Sequence, residues 1–442
     1  MAKTLLRGGR IIDPSRNLDH TGDVLLCDGK IVQVSNVSIF DATTEIIDCD
    51  GCIISPGLID IHVHFREPSN GKHEETIASG SESAAAGGFT TVCTMPNTTP
   101  AIDTPERITQ SILESKTVGL CRVLPTGCAT VNRQGKALAP IESMAKAGAI
   151  AFTDDGDVVE ENSMMESVLT AVKQTGRLFM QHCQDPKTTA GGVMHEGAIQ
   201  EELGYGAWPR IAEESIITRD IAINESIGAK WHAQHLSSGG SIQLIRNARN
   251  KGQSISGEAS PHHLLLTDKS CKELGSIAKM NPPLREQADI DEIKEGIADG
   301  TITILATDHA PHPHQTKCVP FPEASFGIVG LDCALALYAK ALIDDGVLDW
   351  PALLRMMTSN PANLIGRSDL GSLTVGETAD IAIIDPSMQW TIDMTKFAST
   401  GRNSPFHGWN VNARSIATIF GGRITSHLLG DRASHCNLPE VV

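Results

Sequence analysis

The chain has 442 residues, with 36 Lys and Arg against 53 Asp and Glu, which gives a formal net charge of −17 at pH 7. This acidic balance disfavours nucleic acid and anionic membranes as main partners, because phosphate groups are bound by clustered Lys and Arg. Hydrophobic residues make up 40% and charged residues 20% of the chain, so we expect a folded protein with a large core rather than a disordered one.

The N-terminal segment contains no apolar run typical of a secretory signal, and no stretch of about 18 apolar residues predicts a transmembrane helix. The 11 cysteines are odd in number and scattered, which is typical of reduced thiols in the cytosol. We therefore predict a cytoplasmic protein. Cys49 and Cys52 form a CxxC pair, but no second pair accompanies them, so we expect no zinc or redox site there.

Both ends of the chain have the pattern of short strands separated by turns. In residues 1–56, apolar and polar residues alternate between Gly, Asn and Asp, as they do in β-hairpins. Similar patterns return in residues 370–442. Because chain termini often lie close together, we predict that the two ends build one small β-sandwich domain. Two unrelated β extensions are the alternative.

The middle of the chain, residues 57–369, alternates strand-like and helix-like segments. Eight apolar runs of strand character begin units of this kind, namely GLIDIHVHF, TTVCTMPN, CRVLPTGCAT, AIAFTDDG, RLFMQHCQD, KWHAQHLSS, SISGEASPHH and ITILATDHAPH. Eight β-then-α units predict an α/β fold, a (β/α)8 barrel of the TIM type. A doubly wound open sheet is the alternative, but no GxGxxG motif opens any unit.

In these predicted strands the apolar run comes first and the residues capable of chemistry come last. A barrel brings the carboxyl ends of its strands to one mouth, and four of the 16 histidines lie at such ends: His62, His64, His182 and His235. His62 and His64 are two residues apart, so on a strand they share one face. Since histidine is the commonest metal ligand, we predict a four-histidine metal site. His232 lies on the opposite strand face and is expected to be structural.

Acidic residues end two of the predicted strands. Asp308 ends the eighth, where a carboxylate can bind a metal ion and can accept a proton from water whose pKa the ion lowers to about 7. A helix N-cap is the alternative role for Asp308. Asp154 and Asp155 end the fourth strand, where a carboxylate can bind one ion or bridge two. Spacing alone does not decide between these two residues.

Taken together, the motifs HVHFRE, MPN, FTDDG, SPHHL, KMNPPLR and ATDHAPH resemble those of the amidohydrolase superfamily, and within it those of the type I bacterial dihydroorotases. The resemblance extends over nearly the whole chain. It implies a cyclic amide hydrolase with one or two zinc ions that interconverts (S)-dihydroorotate and N-carbamoyl-L-aspartate in pyrimidine biosynthesis. It also implies a homodimer and, in some relatives, a complex with aspartate transcarbamoylase.

The resemblance further implies roles for individual residues. The implied metal ligands are His62, His64, Asp155, His182, His235 and Asp308, of which Asp308 is also the general base. Asp155 corresponds to a carboxylated lysine that bridges two metals in many relatives, which favours it over Asp154. The implied substrate contacts are Arg66, Asn97, Asn281 and His312, with Phe326 and Gly327 contributing their backbone. The planar donor fork of Arg66 suits the substrate carboxylate.

Two other functions compete with this interpretation. A hydantoinase or allantoinase of the same superfamily carries the bridging lysine, whereas the TDDG segment here contains none. The substrates of those enzymes also lack a carboxylate that matches Arg66 and Asn97. A non-catalytic paralogue, such as a structural partner of aspartate transcarbamoylase, typically loses metal ligands, whereas all six candidate positions are filled here.

Overall fold

The structure is a computed structural model that describes residues 3–37, 43–69 and 74–428. The N-terminal strands are β1 (Lys3–Asp13), β2 (Leu18–Cys27), β3 (Lys30–Ser35), β4 (Glu45–Asp48) and β5 (Ile53–Pro56). β1, β2 and β3 form an antiparallel meander, while β4 and β5 pair parallel to β1. The turn between β2 and β3 has positive φ at Asp28 (48°) and Gly29 (79°), a conformation that an Asp-Gly pair favours.

Ten strands follow in the middle of the chain. They are β6 (Leu58–Val63), β7 (Phe89–Thr94), β8 (Arg122–Pro125), β9 (Ala151–Phe152), β10 (Leu178–Gln181), β11 (Met194–His195), β12 (Ala207–Trp208), β13 (Lys230–Ala233), β14 (Ile255–Ala259) and β15 (Ile304–Leu305). Parallel pairing joins β6, β7 and β8 in one run and β9, β10, β13, β14 and β15 in another.

Two parallel bridges join these runs into a closed ring. Gly127 bridges to Phe152, and Val63 bridges to His309. The predicted eight-stranded barrel is therefore confirmed. Each of the eight predicted runs overlaps one of its strands, so the carboxyl ends of all eight strands meet at one mouth. The short β11–β12 pair is an excursion from the ring that the sequence pattern did not predict.

Helices alternate with the strands of the ring along the chain and follow the last of them. They are α1 (Ile77–Ala86), α2 (Pro105–Val118), α3 (Ile141–Ala147), α4 (Asn162–Thr175), α5 (Ala198–Leu203), α6 (Ile211–Ile227), α7 (Gly239–Asn250), α8 (Pro261–Leu265), α9 (Lys269–Leu274), α10 (Gln287–Ala298), α11 (His314–Lys317), α12 (Ala334–Tyr338), α13 (Trp350–Met357) and α14 (Ser359–Leu364). α4 illustrates their construction, because it buries Met165, Val168, Leu169 and Val172, one stripe at helical spacing.

The C-terminal strands are β16 (Ile381–Asp385), β17 (Trp390–Thr391), β18 (Asn410–Val411), β19 (Arg414–Phe420) and β20 (Arg423–His427). β16 pairs antiparallel with β5, which places the two ends of the chain in one eight-stranded sheet of order β20-β19-β16-β5-β1-β2-β3, with β4 beside β1. Ile54 and Ile383 share its core with Cys49 and Cys52. The predicted composite β-sandwich is confirmed as part of the fold class.

The segment between β17 and β18 leaves this sheet and packs toward the barrel. Ile392, Phe397 and Phe406 share a hydrophobic cluster with Phe321 and Ile328. Residues from the C-terminal end of the chain are thereby brought beside the barrel mouth. The predicted domain boundaries, at residues 56/57 and 369/370, stay a prediction. None of the helices in the described part of the chain has both the length and the apolar character that crossing a bilayer requires.

Candidate active site and metal centre

The four predicted histidines meet at the carboxyl ends of three barrel strands. His62 lies in β6 and His64 directly after it, and their ring centroids are 5.3 Å apart. His182 follows β10 and His235 follows β13, and Nδ1 of His182 lies 2.8 Å from Nε2 of His235. All four side chains are buried. The β6 pair and the later two histidines form one cluster, since the rings of His62 and His235 are 5.2 Å apart.

Asp155 lies at the centre of these histidines. Its Oδ1 is 3.4 Å from Nε2 of His62, 3.6 Å from Nδ1 of His182 and 3.8 Å from Nε2 of His235. Its Oδ2 is 3.5 Å from Nε2 of His64. Oδ1 is buried and has no hydrogen-bond partner among the residues that the structure describes, although a buried carboxylate oxygen is costly unless it is paired. An unpartnered oxygen surrounded by imidazole nitrogens fits the binding of a metal cation.

The neighbouring Asp154 points away from the cluster. Its Oδ1 accepts hydrogen bonds from the backbone N–H groups of Ala129 (2.9 Å) and Thr130 (3.0 Å), and its Oδ2 accepts one from the Thr130 hydroxyl. Burial raises the pKa of Asp154 to about 6. Asp154 therefore holds the loop after β8, and Asp155 is the residue of the pair that faces the histidines.

Asp308 completes the cluster from the eighth strand. Its Oδ1 lies 2.9 Å from Nε2 of His64 and 3.4 Å from Nε2 of His62. The backbone φ is +47° at Asp308 and +31° at His235, a region that residues with a side chain rarely occupy and that is concentrated at functional sites. Imidazoles and carboxylates at this spacing are a donor set for divalent metal ions. The cluster can therefore hold a divalent metal.

Glu258, in β14, orients two of the histidines. Its Oε1 lies 2.5 Å from Nδ1 of His62 and accepts a hydrogen bond from the backbone N–H of His235 (3.1 Å). Its Oε2 lies 3.0 Å from Nε2 of His232. Burial raises the pKa of Glu258, but the charges and hydrogen bonds of His62 and His232 outweigh it and lower the pKa to about 2. Sequence reasoning missed Glu258, although an acidic residue inside an apolar barrel strand is a signal for it.

His182 is oriented by a second polar group. Its Nε2 lies 2.8 Å from Oε1 of Gln184, which leaves Nδ1 directed toward Asp155. The same oxygen of Gln184 accepts a hydrogen bond of 3.0 Å from Nδ2 of Asn281. Oδ1 of Asn281 is buried, and no residue in the described part of the chain forms a hydrogen bond with it. Asn281 thus presents an unused acceptor beside the cluster.

A cavity of about 170 Å³ opens beside the His/Asp cluster. All six implied substrate contacts and all the implied metal ligands except His62 line its wall, together with three further residues. The lining residues are His64, Arg66, Asn97, Asp155, Gly156, His182, His235, Met280, Asn281, Asp308, Ala310, His312, Phe326 and Gly327. The cavity can admit a small polar molecule, and candidate ligands and candidate substrate contacts both line it.

Arg66 and His312 lie together on the wall of this cavity. A guanidinium N–H of Arg66 donates to Nε2 of His312 (3.3 Å), and its Nε donates to the carbonyl of Pro311 (3.3 Å). Burial, together with the positive charges of Arg66 and Lys317, lowers the pKa of His312 to about 3. His312 is therefore a neutral acceptor at neutral pH, and Arg66 supplies the positive charge of this wall.

Asn97 contacts the His/Asp cluster and also lines the cavity. Its Oδ1 lies 2.9 Å from Nδ1 of His64, and its Nδ2 donates to Oδ2 of Asp155 (3.2 Å). These bonds orient two candidate ligands, a role beyond the expected substrate contact. Asn97 reaches this position because it follows β7, the second barrel strand, which pairs with β6.

Gly327 occupies a position where no side chain fits. Its φ is +151°, and a Cβ atom there would lie 2.6 Å from the Ala310 carbonyl oxygen and 2.6 Å from Cδ2 of His312. Its N–H donates to the Lys279 carbonyl (3.1 Å), and its own carbonyl accepts from Nζ of Lys317 (2.7 Å) and Nδ2 of Asn403 (3.0 Å). The backbone polar groups of Gly327 are thus engaged within the protein, although the residue lines the cavity.

A separate group of possible ligands, His195, Glu286 and Asp289, lies near two arginines. Arg210 donates to Oε2 of Glu286 (2.6 Å) and to Oδ2 of Asp289 (2.6 Å), and a guanidinium N–H of Arg285 lies 3.1 Å from Nδ1 of His195. Because guanidinium groups already balance these carboxylates, this group is explained without a metal.

Comparison with solved structures identifies the class of this fold. The L-hydantoinase (dihydropyrimidinase) from Arthrobacter aurescens superposes with a TM-score of 0.86 at 24% identity, covering 97% of this chain and 96% of that one. The dihydropyrimidinase from Brevibacillus agri NCHU1002 gives 0.82 at 20% identity, over 96% and 95% of the two chains. The Amidohydrolase family matches residues 273–426. The barrel, composite sheet and His/Asp cluster define the amidohydrolase class.

Sequence relatives identify one family within this class. The Dihydro-orotase-like family matches residues 51–241. The dihydroorotases of Citrifermentans bemidjiense and Syntrophus aciditrophicus are each 41% identical to this chain, over 95% of it and 98% of the first relative, and over 96% of it and 99% of the second. That of Streptomyces coelicolor is 37% identical over 96% of this chain and 98% of its own length. The chain belongs to the dihydroorotase family.

Proposed function

We propose that this protein is a zinc-dependent dihydroorotase, a cyclic amide hydrolase that interconverts (S)-dihydroorotate and N-carbamoyl-L-aspartate in pyrimidine biosynthesis. The observation that carries the proposal is the convergence of candidate ligands and candidate substrate contacts on one cavity. Full-length identity of about 41% to dihydroorotases supports this choice of substrate. The hydantoinase likeness is below 25% identity and supports the fold alone.

We assign the six clustered residues as the ligands of one or two zinc ions: His62, His64, Asp155, His182, His235 and Asp308. Imidazole and carboxylate donors suit zinc, and the unpartnered Oδ1 of Asp155 supports a cation at this position. A divalent ion held there supplies Lewis-acid chemistry, which polarises a carbonyl group and makes water a stronger nucleophile near neutral pH.

Asp308 moves the proton in this proposal. Its carboxylate accepts a proton from the attacking water, whose oxygen adds to the ring carbonyl between N3 and C5. The C–N3 bond then breaks, and Asp308 returns the proton to the leaving nitrogen. The reaction opens the ring and forms one new carboxylate, with net release of a proton. The reverse cyclisation consumes that proton, so the equilibrium should shift toward cyclisation as pH falls.

The other cavity residues bind and orient the substrate. Arg66 offers a charge-assisted donor fork to the substrate carboxylate, and His312 accepts from that fork. We assign Asn97 and His312 to the same carboxylate, as the family resemblance implies. The unused acceptor of Asn281 suits a ring N–H. Phe326 and Gly327 form the wall against which the ring lies.

The test is the hydrolysis of dihydroorotate, followed by ultraviolet absorbance, together with metal analysis of the same sample. We expect turnover, bound zinc, loss of activity after chelation and its return with added zinc. Turnover of hydantoin or allantoin without turnover of dihydroorotate would identify the rival enzyme class. A sample with neither metal nor turnover would favour the non-catalytic partner.

The remaining partner and location predictions are part of this proposal. The substrate is a small molecule, and no nucleic acid or membrane is required. A cytoplasmic homodimer, with association with aspartate transcarbamoylase as a further step, follows from the family resemblance. Sedimentation of the purified protein, alone and with aspartate transcarbamoylase, tests both assemblies.

A further inference from the structure

Lys317 is a buried cation behind the residues that line the substrate cavity. It ends α11, five residues after His312, and is 1% exposed. Its Nζ donates to three backbone carbonyls, those of Lys279 (2.7 Å), Gly327 (2.7 Å) and Ser325 (3.1 Å). Three acceptors match the three N–H groups of an ammonium. The cation is therefore fully hydrogen bonded by main-chain oxygens.

An ammonium in this position is expensive to bury. Charged groups lose hydration when they leave water, and hydrogen bonds repay that cost only when they are complete. Burial and the charge of Lys279 lower the pKa of Lys317 to about 7, whereas three carbonyl acceptors favour the charged form. A methionine would fill the same space without this cost, so the lysine calls for an explanation beyond packing.

The three acceptors have one property in common: each belongs to a segment that lines the cavity. Lys279 directly precedes Met280 and Asn281, while Ser325 directly precedes Phe326 and Gly327. The Lys279 carbonyl accepts from both Lys317 and the Gly327 N–H (3.1 Å). Lys317 thus ties together two stretches of wall that lie about 45 residues apart in sequence.

Asn403, from the C-terminal part of the chain, forms hydrogen bonds with the same side of the cavity. Nδ2 of Asn403 donates to the carbonyls of Ala310 (2.9 Å) and Gly327 (3.0 Å), and its Oδ1 accepts from the His312 N–H (3.1 Å). The Gly327 carbonyl therefore receives two donors, Lys317 and Asn403. No hydrogen bond of either side chain in the described part of the structure reaches a candidate metal ligand.

We propose that Lys317 is a positioning residue for substrate binding. Its ammonium fixes the Ser325–Gly327 segment against Lys279–Asn281 and so sets the distance between the two walls that receive the ring. Lys317 does not touch the substrate or the reacting atoms. The inference rests on the proposed function, because the ring that these walls receive is that of dihydroorotate.

The test compares Lys317→Met, Lys317→Arg and wild type. Met keeps the length and removes the charge, whereas Arg keeps the charge but offers a planar fork that cannot match three converging carbonyls. We expect Lys317→Met to raise the KM for dihydroorotate about tenfold or more, with kcat within about threefold of wild type and zinc content unchanged. The KM of Lys317→Arg should lie between those of wild type and Lys317→Met. Lys251→Met, at an exposed lysine, is the control and should match wild type.

The split between KM and kcat distinguishes positioning from simple structural damage. Damage lowers the fraction of active enzyme, which reduces apparent kcat and leaves KM unchanged. A wild-type KM in Lys317→Met overturns the inference. If Lys317→Met does not fold, Lys317→Arg becomes the test. A wild-type KM in Lys317→Arg would then overturn the inference. Wild-type protein that does not hydrolyse dihydroorotate refutes the proposed function instead, which keeps the two failures distinguishable.

Discussion

Glu258 and His62 approach to 2.5 Å between Oε1 and Nδ1, and both side chains are fully buried. The bond leaves Nε2 of His62 directed at Asp155 and Asp308, 3.4 Å from a carboxylate oxygen of each. A carboxylate on the far nitrogen of a ligating histidine fixes its tautomer and raises its basicity. Because Glu258 also holds the His235 backbone, one carboxylate orients two candidate ligands.

Glu258→Gln should weaken metal binding. Glutamine keeps the size of the side chain but removes the charge that favours the correct His62 tautomer, so we expect metal affinity to fall about 10- to 100-fold. Zinc affinity is measured by competition with a chromogenic chelator. Glu225→Gln, at an exposed position in α6, is the matched control and should retain wild-type affinity. An unchanged affinity in Glu258→Gln would show that Glu258 does not tune the site.

Asp308→Asn should separate proton transfer from metal binding. The amide can still occupy the space beside His64 but cannot accept the proton of the attacking water. We expect kcat to fall by at least about 100-fold, the range for loss of a general base, while most of the zinc remains. Steady-state kinetics and metal analysis of one preparation check both parts. Wild-type turnover in this variant would reject Asp308 as the base.

The sequence predicted the ring of strands and the residues at its mouth for one physical reason. In a barrel, each strand ends at the same face, so a polar residue that ends an apolar run has a known destination. His62, His64, His182, His235 and Asp308 could be found in this way. The choice between Asp154 and Asp155 could not, because a turn follows the strand and local spacing does not fix which carboxylate faces inward.

Residues that act through long-range contacts escaped sequence reasoning. Lys317 and Asn403 meet at the Gly327 carbonyl, although Asn403 lies in the segment predicted to belong to the sandwich. Periodicity reports which face of an element is buried but not which distant element covers it. Glu258 was missed for the same reason, since its partners His62 and His232 are 196 and 26 residues away in the sequence.

Arg66→Ala should distinguish dihydroorotate from uncharged cyclic amides. Loss of a charge-assisted contact to the substrate carboxylate costs roughly 1.5–3 kcal/mol, so we expect KM for dihydroorotate to rise about 10- to 100-fold. Zinc content should stay the same, because Arg66 contacts His312 and Pro311 rather than the ligands. Any weak turnover of hydantoin, which has no carboxylate, should be unaffected. An equal loss for both substrates would contradict the assignment.

Gly327→Ala should damage the cavity wall directly. The added Cβ would lie 2.6 Å from the Ala310 carbonyl oxygen and from Cδ2 of His312, at a φ of +151°. His312 must therefore move, and with it the partner of Arg66. We expect a higher KM for dihydroorotate with little change in zinc content, measured side by side. Gly300→Ala, at an exposed glycine with φ +77° and open space around its Cβ, controls for backbone strain alone and should leave KM unchanged.

The last prediction concerns stability in acid and rests on His263, which lies in α8 and is not one of the candidate metal ligands. Its Nε2 lies 3.0 Å from the Pro282 carbonyl oxygen and its Nδ1 lies 2.9 Å from the Ser260 hydroxyl. Burial lowers the pKa of His263 from 6.5 to about 4. Between these values the unfolded chain binds a proton that the folded chain does not, so stability falls as pH falls through this window and is fully retained above about 6.5.

The shift of the His263 pKa corresponds to a loss of about 3 kcal/mol once pH has fallen to about 4. We expect His263→Gln, which cannot titrate, to show a smaller decrease in its urea unfolding midpoint between pH 7.5 and pH 4.5 than wild type shows. His314→Gln, at an exposed histidine, should keep the wild-type decrease. Loss of metal in acid affects all three proteins alike, so the difference between variants isolates His263. Parallel pH profiles for wild type and His263→Gln would rule out a neutral buried His263 as a source of acid sensitivity.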